Sequence, residues 1–317
     1  MLSGATLMRR IRLNDSSVPA TILVRYGELA LKSPPVRREF EHRLERNIVD
    51  MFLHQRLSCR IRADHGHLYV MADDPGSSVA LLRRVFGVTS VSSVVEVPID
   101  PLQIQSALLE LGEPRLAPGR RFAIRARRTG SHPFTSQQLA AQLGAAILAK
   151  WPDRNLVVDL DAPEVELAVE VRGPRTYLSV DRQEGPGGLP HGVAGSVVAL
   201  VDGPRGALGA YMMMKRGCRL ALLSRPGGTA YVEGTLRLFD PKIVIENFAG
   251  PETETQARLQ GLADRVHADA VVLPLVVDEF PQARQDWGER VVFSPTVGLS
   301  EEEVEERWKQ VEGLAGI

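Results

Sequence analysis

Cysteine is nearly absent. Only Cys59 and Cys218 occur in 317 residues. Two thiols so far apart exclude a Cys-rich metal site and a disulfide framework, and they suit a reducing compartment. There is no apolar run of about 18 residues, the length a spanning helix needs. The opening stretch MLSGATLMRRIRLNDSSVPA has no apolar segment behind its basic residues. Residues 1–19 therefore read as a flexible leader and not as a secretory signal. Internal repeats and low-complexity tracts are missing as well. These absences lead to the expectation of a cytoplasmic protein with no membrane contact. What is present, 44% apolar and 24% charged residues, is the composition of a globular chain. Its length suits two or three domains.

The net charge of −1 conceals an asymmetry. Residues 221–317 hold 9 Lys/Arg against 17 Asp/Glu, whereas residues 1–220 hold 29 against 22. A basic front suits a polyanionic partner, and an acidic rear does not.

Residues 21–27 form a β-branched apolar run that predicts a buried strand. Phe40, Leu44, Ile48, Met51 and Phe52 then recur at helical spacing behind Pro34 and Pro35, which can open a helix but not extend it backwards. Strand at 65–73, helix at 77–87 and strand at 90–99 complete a β-α-β-α-β unit. A second unit follows, with a helix at 104–112 and an alternating strand at 120–128. Thr135 caps the next helix, and strands are expected at 156–161, 165–173 and 176–181. The Gly/Pro-rich stretch 184–195 reads as a linker. Beyond it, strand 197–201, a glycine-containing turn and a helix through Lys215 predict a doubly wound domain with a parallel sheet. A further buried strand is expected at 270–277, and an exposed acidic helix at 301–308.

Three segments in order carry a resemblance: ILVRYGELALKSPPVRREFEHRLERNI (22–48), FAIRARRTGSHPFTSQQLAAQLGAAI (122–147) and GPGGLPHGVAG (185–195). Together they resemble the front of the tRNA 4-thiouridine synthetases, also called tRNA sulfurtransferases. The resemblance implies a multidomain α/β and α+β fold. It comprises an N-terminal ferredoxin-like domain (20–78), a THUMP domain (79–183), a linker (184–196) and a truncated doubly wound Rossmann-like domain of the PP-loop type (197–317). It also implies that the first two domains hold the acceptor end of tRNA, and that homodimers form. The residues agree with this. Arg121, Arg125 and Arg127 share one strand face, extended by Arg120 and Arg128, with no acidic residue anywhere in 120–132. Such a row can neutralise successive phosphates. His132 and Phe134 could stack on unpaired bases, although Phe134 could equally serve the core. Arg25, Lys32, Arg37 and Arg38 surround the first loop and helix start, as phosphate contacts or as a solvated face.

In the family the linker leads to an SGGxDS loop that cradles the pyrophosphate of ATP at a helix N-terminus. Counting back from Met214–Gly217, the matching positions are Val201, Asp202, Gly203, Pro204, Arg205 and Gly206. Only Gly203 agrees with the motif. Two hydroxyl donors are replaced, Pro204 has no amide hydrogen, and Asp202 brings negative charge towards a polyanion. Arg205 could still attract phosphate, so residual ATP binding stays open, but no cofactor is expected. The family's sulfur relay needs a cysteine late in the third domain, and none follows Cys218. Lys215, Arg216 and Arg219 could lower the Cys218 pKa, yet a structural thiol is the plainer reading. The acidic pair Asp278–Glu279 reads as a solvated loop. The expectation is thus a tRNA-binding, non-catalytic relative with no metal site. The alternatives are an active sulfurtransferase with an altered ATP loop, and an adaptor that brings tRNA to a catalytic partner protein.

Overall fold

The computed structural model describes residues 20–27, 33–64, 66–180, 182–226, 229–279 and 287–317. The front of the chain contributes β1 (Ala20–Tyr26), α1 (Pro34–His54), β2 (Arg60–Asp64), β3 (His67–Ala72), α2 (Pro75–Leu82) and β4 (Val88–Pro98). Then come α3 (Pro101–Gly112), β5 (Arg121–Thr129), α4 (Ser136–Lys150), β6 (Val157–Val158), β7 (Val165–Arg172), β8 (Arg175–Ser179) and β9 (Gln183–Glu184). All nine strands join one sheet, in the order β2-β3-β1-β4-β8-β7-β5-β6 with β9 beside β4. The apolar spacing of α1 buries Leu44, Ile48, Met51 and Phe52, and its prolines stand at the first turn as expected. In α4, Thr135 and Gln138 form a reciprocal capping box.

The long strand β4 joins the two front units. Its first part runs antiparallel to β1, from Tyr26↔Val88 to Thr21↔Val94. Its last four residues pair instead with β8, from Val95↔Leu178 to Pro98↔Arg175. Across this joint Arg25 of β1 is buried against Glu170 of β7. Arg25 Nε donates to Glu170 Oε1 at 2.9 Å, Arg25 Nη1 donates to Ser92 Oγ at 3.0 Å, and Arg172 donates to Glu170 Oε2 at 2.8 Å. On the same face, beside this pair, Tyr69 packs on Tyr177, the cross-strand partner of Glu170, with ring centroids 4.7 Å apart, and the Arg62 guanidinium lies 4.7 Å above Tyr69.

The rear of the chain forms a separate sheet. Its elements are β10 (Ser196–Val201), α5 (Pro204–Lys215), β11 (Arg219–Ser224), α6 (Ala230–Phe239), β12 (Val244–Asn247), α7 (Thr255–Arg265), β13 (Ala270–Val272), β14 (Val291–Phe293) and α8 (Glu301–Ala315). The order β12-β11-β10-β13-β14 is parallel throughout. Val197, Ala199 and Val201 pack with α5, α6 and α8, while Val198 packs with α7. This alternation covers both faces, as the doubly wound expectation requires.

Several elements depart from the sequence reading. The helix expected to be exposed at 301–308 runs on to Ala315 and buries Val304, Trp308, Val311 and Ala315, so only its acidic side meets solvent. Of the expected strand 270–277 only three residues pair, because Pro274 cannot donate to a ladder and Val276 and Val277 turn outward. The strand at 156–161 shrinks to Val157–Val158 on the sheet edge. Among the described residues no helix is long and apolar enough to cross a membrane.

Burial alone would raise the Glu170 carboxyl, but the Arg25 charge and the hydrogen bonds from Arg172 and Arg25 hold it below its ordinary value. Its contribution is therefore complete above the unfolded carboxylate pKa of about 4.3 and is lost as pH falls through the lower folded value. Glu170→Ala is expected to cost about 3–5 kcal/mol in chemical denaturation, because it strands a buried guanidinium. Glu170→Gln should lose stability less steeply than the parent chain on acidification below that value. A loss under about 1 kcal/mol in Glu170→Ala would show that the pair does not hold the joint.

Candidate nucleic-acid interface and nucleotide loop

The five arginines of β5 and its approach do not form the uncompensated row that their own segment suggests. Parallel pairing with β7 brings in acidic neighbours from 164–166. Arg120 Nη1 meets Glu164 Oε1 at 2.6 Å. Arg121 meets Asp159 at 3.1 Å, and its backbone N–H donates to Glu164. Arg125 Nε donates to Glu166 at 2.9 Å, and Arg125 Nη2 donates to the Leu160 carbonyl. Arg127 and Arg128 are exposed and, among the described residues, meet no carboxylate. Arg128 donates to the Gly130 carbonyl.

A groove of about 870 Å3 opens beside this strand. Arg125 and Arg127 wall one side, while Ala141, Gly144 and Ala145 of α4 leave room on the other. The exposed apolar side chains of Val158 and Leu160 line its edge. A Cβ added at Gly144 would meet nothing within 4 Å. His132 and Phe134 stack on each other, 5.9 Å between centroids and 16° between planes. The imidazole Nε2 of His132 lies 3.0 Å from the Thr129 carbonyl, and Phe134 packs against the core beneath.

The first-domain candidates divide. Arg25 is not a phosphate contact, since its guanidinium is buried in the joint with Glu170. Arg37 is held by Glu41 at 2.9 Å. Arg38 is exposed, and Lys32 lies outside the described residues.

The loop Val201–Gly206 stands where strand order reverses, between β10 and β13, the position at which open parallel sheets hold ligands. Gly206 is required there. A Cβ on it would lie 2.5 Å from the Leu200 carbonyl oxygen, so glycine lets α5 sit hard against β10. Arg205 does not point its charge at a free ligand. Its guanidinium is buried, donating to the Thr296 carbonyl at 2.7 Å, to the Leu299 carbonyl at 2.8 Å and to Glu301 at 2.7 Å. Burial pushes the Asp202 carboxyl above its ordinary value, with Glu252 and Glu279 adding to the rise and Arg225 opposing it. Glu279 itself accepts the Val276 N–H. Val201 is part of the apolar core. Gly203 precedes the first turn of α5, and Pro204 occupies it.

Neither thiol is activated. Burial, with Asp269 nearby, pushes Cys218 up despite its basic neighbours, and Cys218 Sγ lies 3.5 Å from the Ala194 carbonyl. Burial also raises Cys59. Among the described residues no cluster of His, Cys, Asp and Glu could hold a metal ion.

Comparison with known proteins identifies the front of this architecture. Residues 21–92 match the ThiI ferredoxin-like domain and residues 101–181 match the THUMP domain. A probable tRNA sulfurtransferase of Methanothermobacter thermautotrophicus is 39% identical over 205 residues, which cover 63% of this chain and 51% of that protein. Its counterpart in Methanocaldococcus jannaschii is 35% identical over 211 residues, covering 64% and 55%. The chain thus spans about half the length of the curated relatives it matches. A crystal structure from Pyrococcus horikoshii shares the fold with a TM-score of 0.76 at 24% identity, over 92% of this chain and 99% of that one. A 4-thiouridine synthetase crystallised with RNA and ATP shares it with a TM-score of 0.74 at 21% identity, over 94% and 86%. The chain is a THUMP-domain protein with a ThiI ferredoxin-like domain ahead of it, related over some two hundred residues to the tRNA sulfurtransferases.

Proposed function

We propose that this chain binds the acceptor end of tRNA across its ferredoxin-like and THUMP domains, and that its rear domain is a scaffold without sulfur-transfer activity. The groove beside β5 supports the binding half of this reading. It sets the Arg127 guanidinium, which meets no carboxylate among the described residues and suits a phosphate, beside apolar side chains on which unpaired bases can rest. The relatives' names and the RNA-bound structural neighbour support it as well.

One observation carries the other half. Arg205, the cation of the 201–206 loop, is consumed by backbone carbonyls and Glu301. With Asp202 beside it and no hydroxyl at Val201 or Gly206, the residues present do not fit the pyrophosphate of ATP. The raised thiol pKa of Cys218 argues in the same direction, because the thiolate is the nucleophile in sulfur chemistry. The cytoplasm, where tRNA is found, is the compartment this reading requires.

Arg127→Ala with Arg128→Ala is expected to weaken tRNA binding about tenfold at low salt and to reduce the slope of log K against log[salt] by about two. Arg120→Ala should cost less, because Glu164 already neutralises that charge. Equal losses would relocate the interface. Gly144→Leu should keep stability or raise it by about 0.5–1 kcal/mol through helix propensity, while filling the groove and weakening tRNA binding. Unchanged affinity in a folded Gly144→Leu protein would remove the groove from the binding site. Incubation with ATP, a sulfur donor and tRNA should yield neither 4-thiouridine nor adenylated tRNA, and the appearance of either product overturns the scaffold reading.

A further inference from the structure

A second cavity, of about 450 Å3, lies between α1 and the edge of the rear sheet at which its strands begin. Arg43 and Asn47 reach it from α1, Arg219 from the first position of β11, and His191 from the linker. Asn47 Nδ2 donates to the His191 carbonyl at 3.0 Å and ties the helix to the linker. Gly192, at φ +87, brings the two arginines together. A Cβ there would lie 3.0 Å from Arg219 Nε and 3.7 Å from Arg43 Nη1, so both guanidinium groups pass over the same glycine. Among the described residues neither one meets a carboxylate or donates a side-chain hydrogen bond.

The remaining charges do not balance them. Lys242 at the mouth is matched by Asp50 at 2.9 Å. Asp240, the other carboxylate of the lining, lies 3.6 Å from His191 Nε2, a buried atom with no hydrogen-bond partner. Burial pushes the Arg43 guanidinium below its ordinary value, with Arg46 and Arg219 adding to it and Glu39 opposing. Burial likewise lowers His191, where Asp240 opposes and Arg219 and Arg43 reinforce. Burial, reinforced by the facing guanidinium groups, thus disfavours the charged forms of Arg43 and His191, a condition that a shared anion relieves.

We infer that this cavity binds a phosphate group between Arg43 and Arg219, with His191 in the same lining. Guanidinium forks match phosphate oxygens two at a time. Met51, Phe86 and Phe239 form an apolar wall beyond the charged end. A small phosphomonoester carrying a ring therefore fills the space better than a bare ion. The site lies at the end of the parallel strands opposite to the 201–206 loop and shares no lining residue with the β5 groove, and it bridges the first domain to the third.

Calorimetric titration of the whole chain with inorganic phosphate, and separately with a nucleoside monophosphate, tests this in chloride buffer. Binding at millimolar phosphate is expected, tighter for the nucleotide. Arg43→Gln with Arg219→Gln should weaken it at least tenfold. Should the double variant not fold, the single Arg43→Gln, and Arg219→Lys, which keeps the charge but not the fork, serve instead; the first should lose more affinity than the second. A short RNA duplex that displaces phosphate assigns the site to an RNA backbone, and one that does not assigns it to a free phosphorylated molecule. No heat with either anion, or equal heat from the parent chain and a folded double variant, overturns the inference. Filter binding of tRNA to the same variants keeps this outcome separate from the interface at β5.

Discussion

The Arg25–Glu170 pair is the contact on which the front of the molecule depends. A buried ion pair gains little over an apolar core, but breaking one side of it is costly. Here the two charges come from different domains, 145 residues apart in sequence, at the point where β4 passes from one set of partners to the other. The Arg172 and Ser92 contacts complete the hydrogen bonding that a buried charge requires. The ferredoxin-like and THUMP domains therefore present one continuous surface. The exposed arginines of β5 hold a fixed relation to α1, and Arg25 and Glu170 themselves line the inner end of the groove.

The rear domain keeps the architecture of a doubly wound sheet around the 201–206 loop. Parallel strands still reverse order at β10 and β13, and Gly206 still lets α5 press against the sheet. The charged side chains at that point are engaged within the protein. An arginine is drawn into the packing of α8, and a carboxylate with raised pKa stands in the loop. Fold and site are separable here, as they are across superfolds generally.

What was legible in the sequence follows from what local patterns encode. The helical spacing of Leu44, Ile48 and Phe52, the Thr135 cap and the apolar run 197–201 each specify an element, and each forms. The place of the 201–206 loop between strand and helix was legible too, because Pro204 and the glycines mark the turn locally. The neutralisation of Arg120, Arg121 and Arg125 was not, since Glu164, Glu166 and Asp159 arrive through a parallel crossover. Arg25 gave a signal in being a charge inside an apolar strand, which demands a partner, but nothing local points to Glu170. The apolar stripe of α8 was hidden by its run of glutamates, although Val304, Trp308 and Val311 recur at helical spacing.

Arg205 also bears on the order in which the rear domain can assemble. Its acceptors lie 91 to 96 residues further along the chain. During synthesis, β10 and α5 emerge well before the carbonyls and carboxylate that satisfy this arginine. Until residues 296–301 arrive, the domain holds a cation at the head of α5 with no internal partner and an apolar face waiting for α8. Such long-range closure slows folding and lengthens the interval in which unburied surface is open to misassociation. The contact of Arg205 with residues 296–301 therefore acts as the latch of the domain, and the step that closes it is the one that ends this exposure.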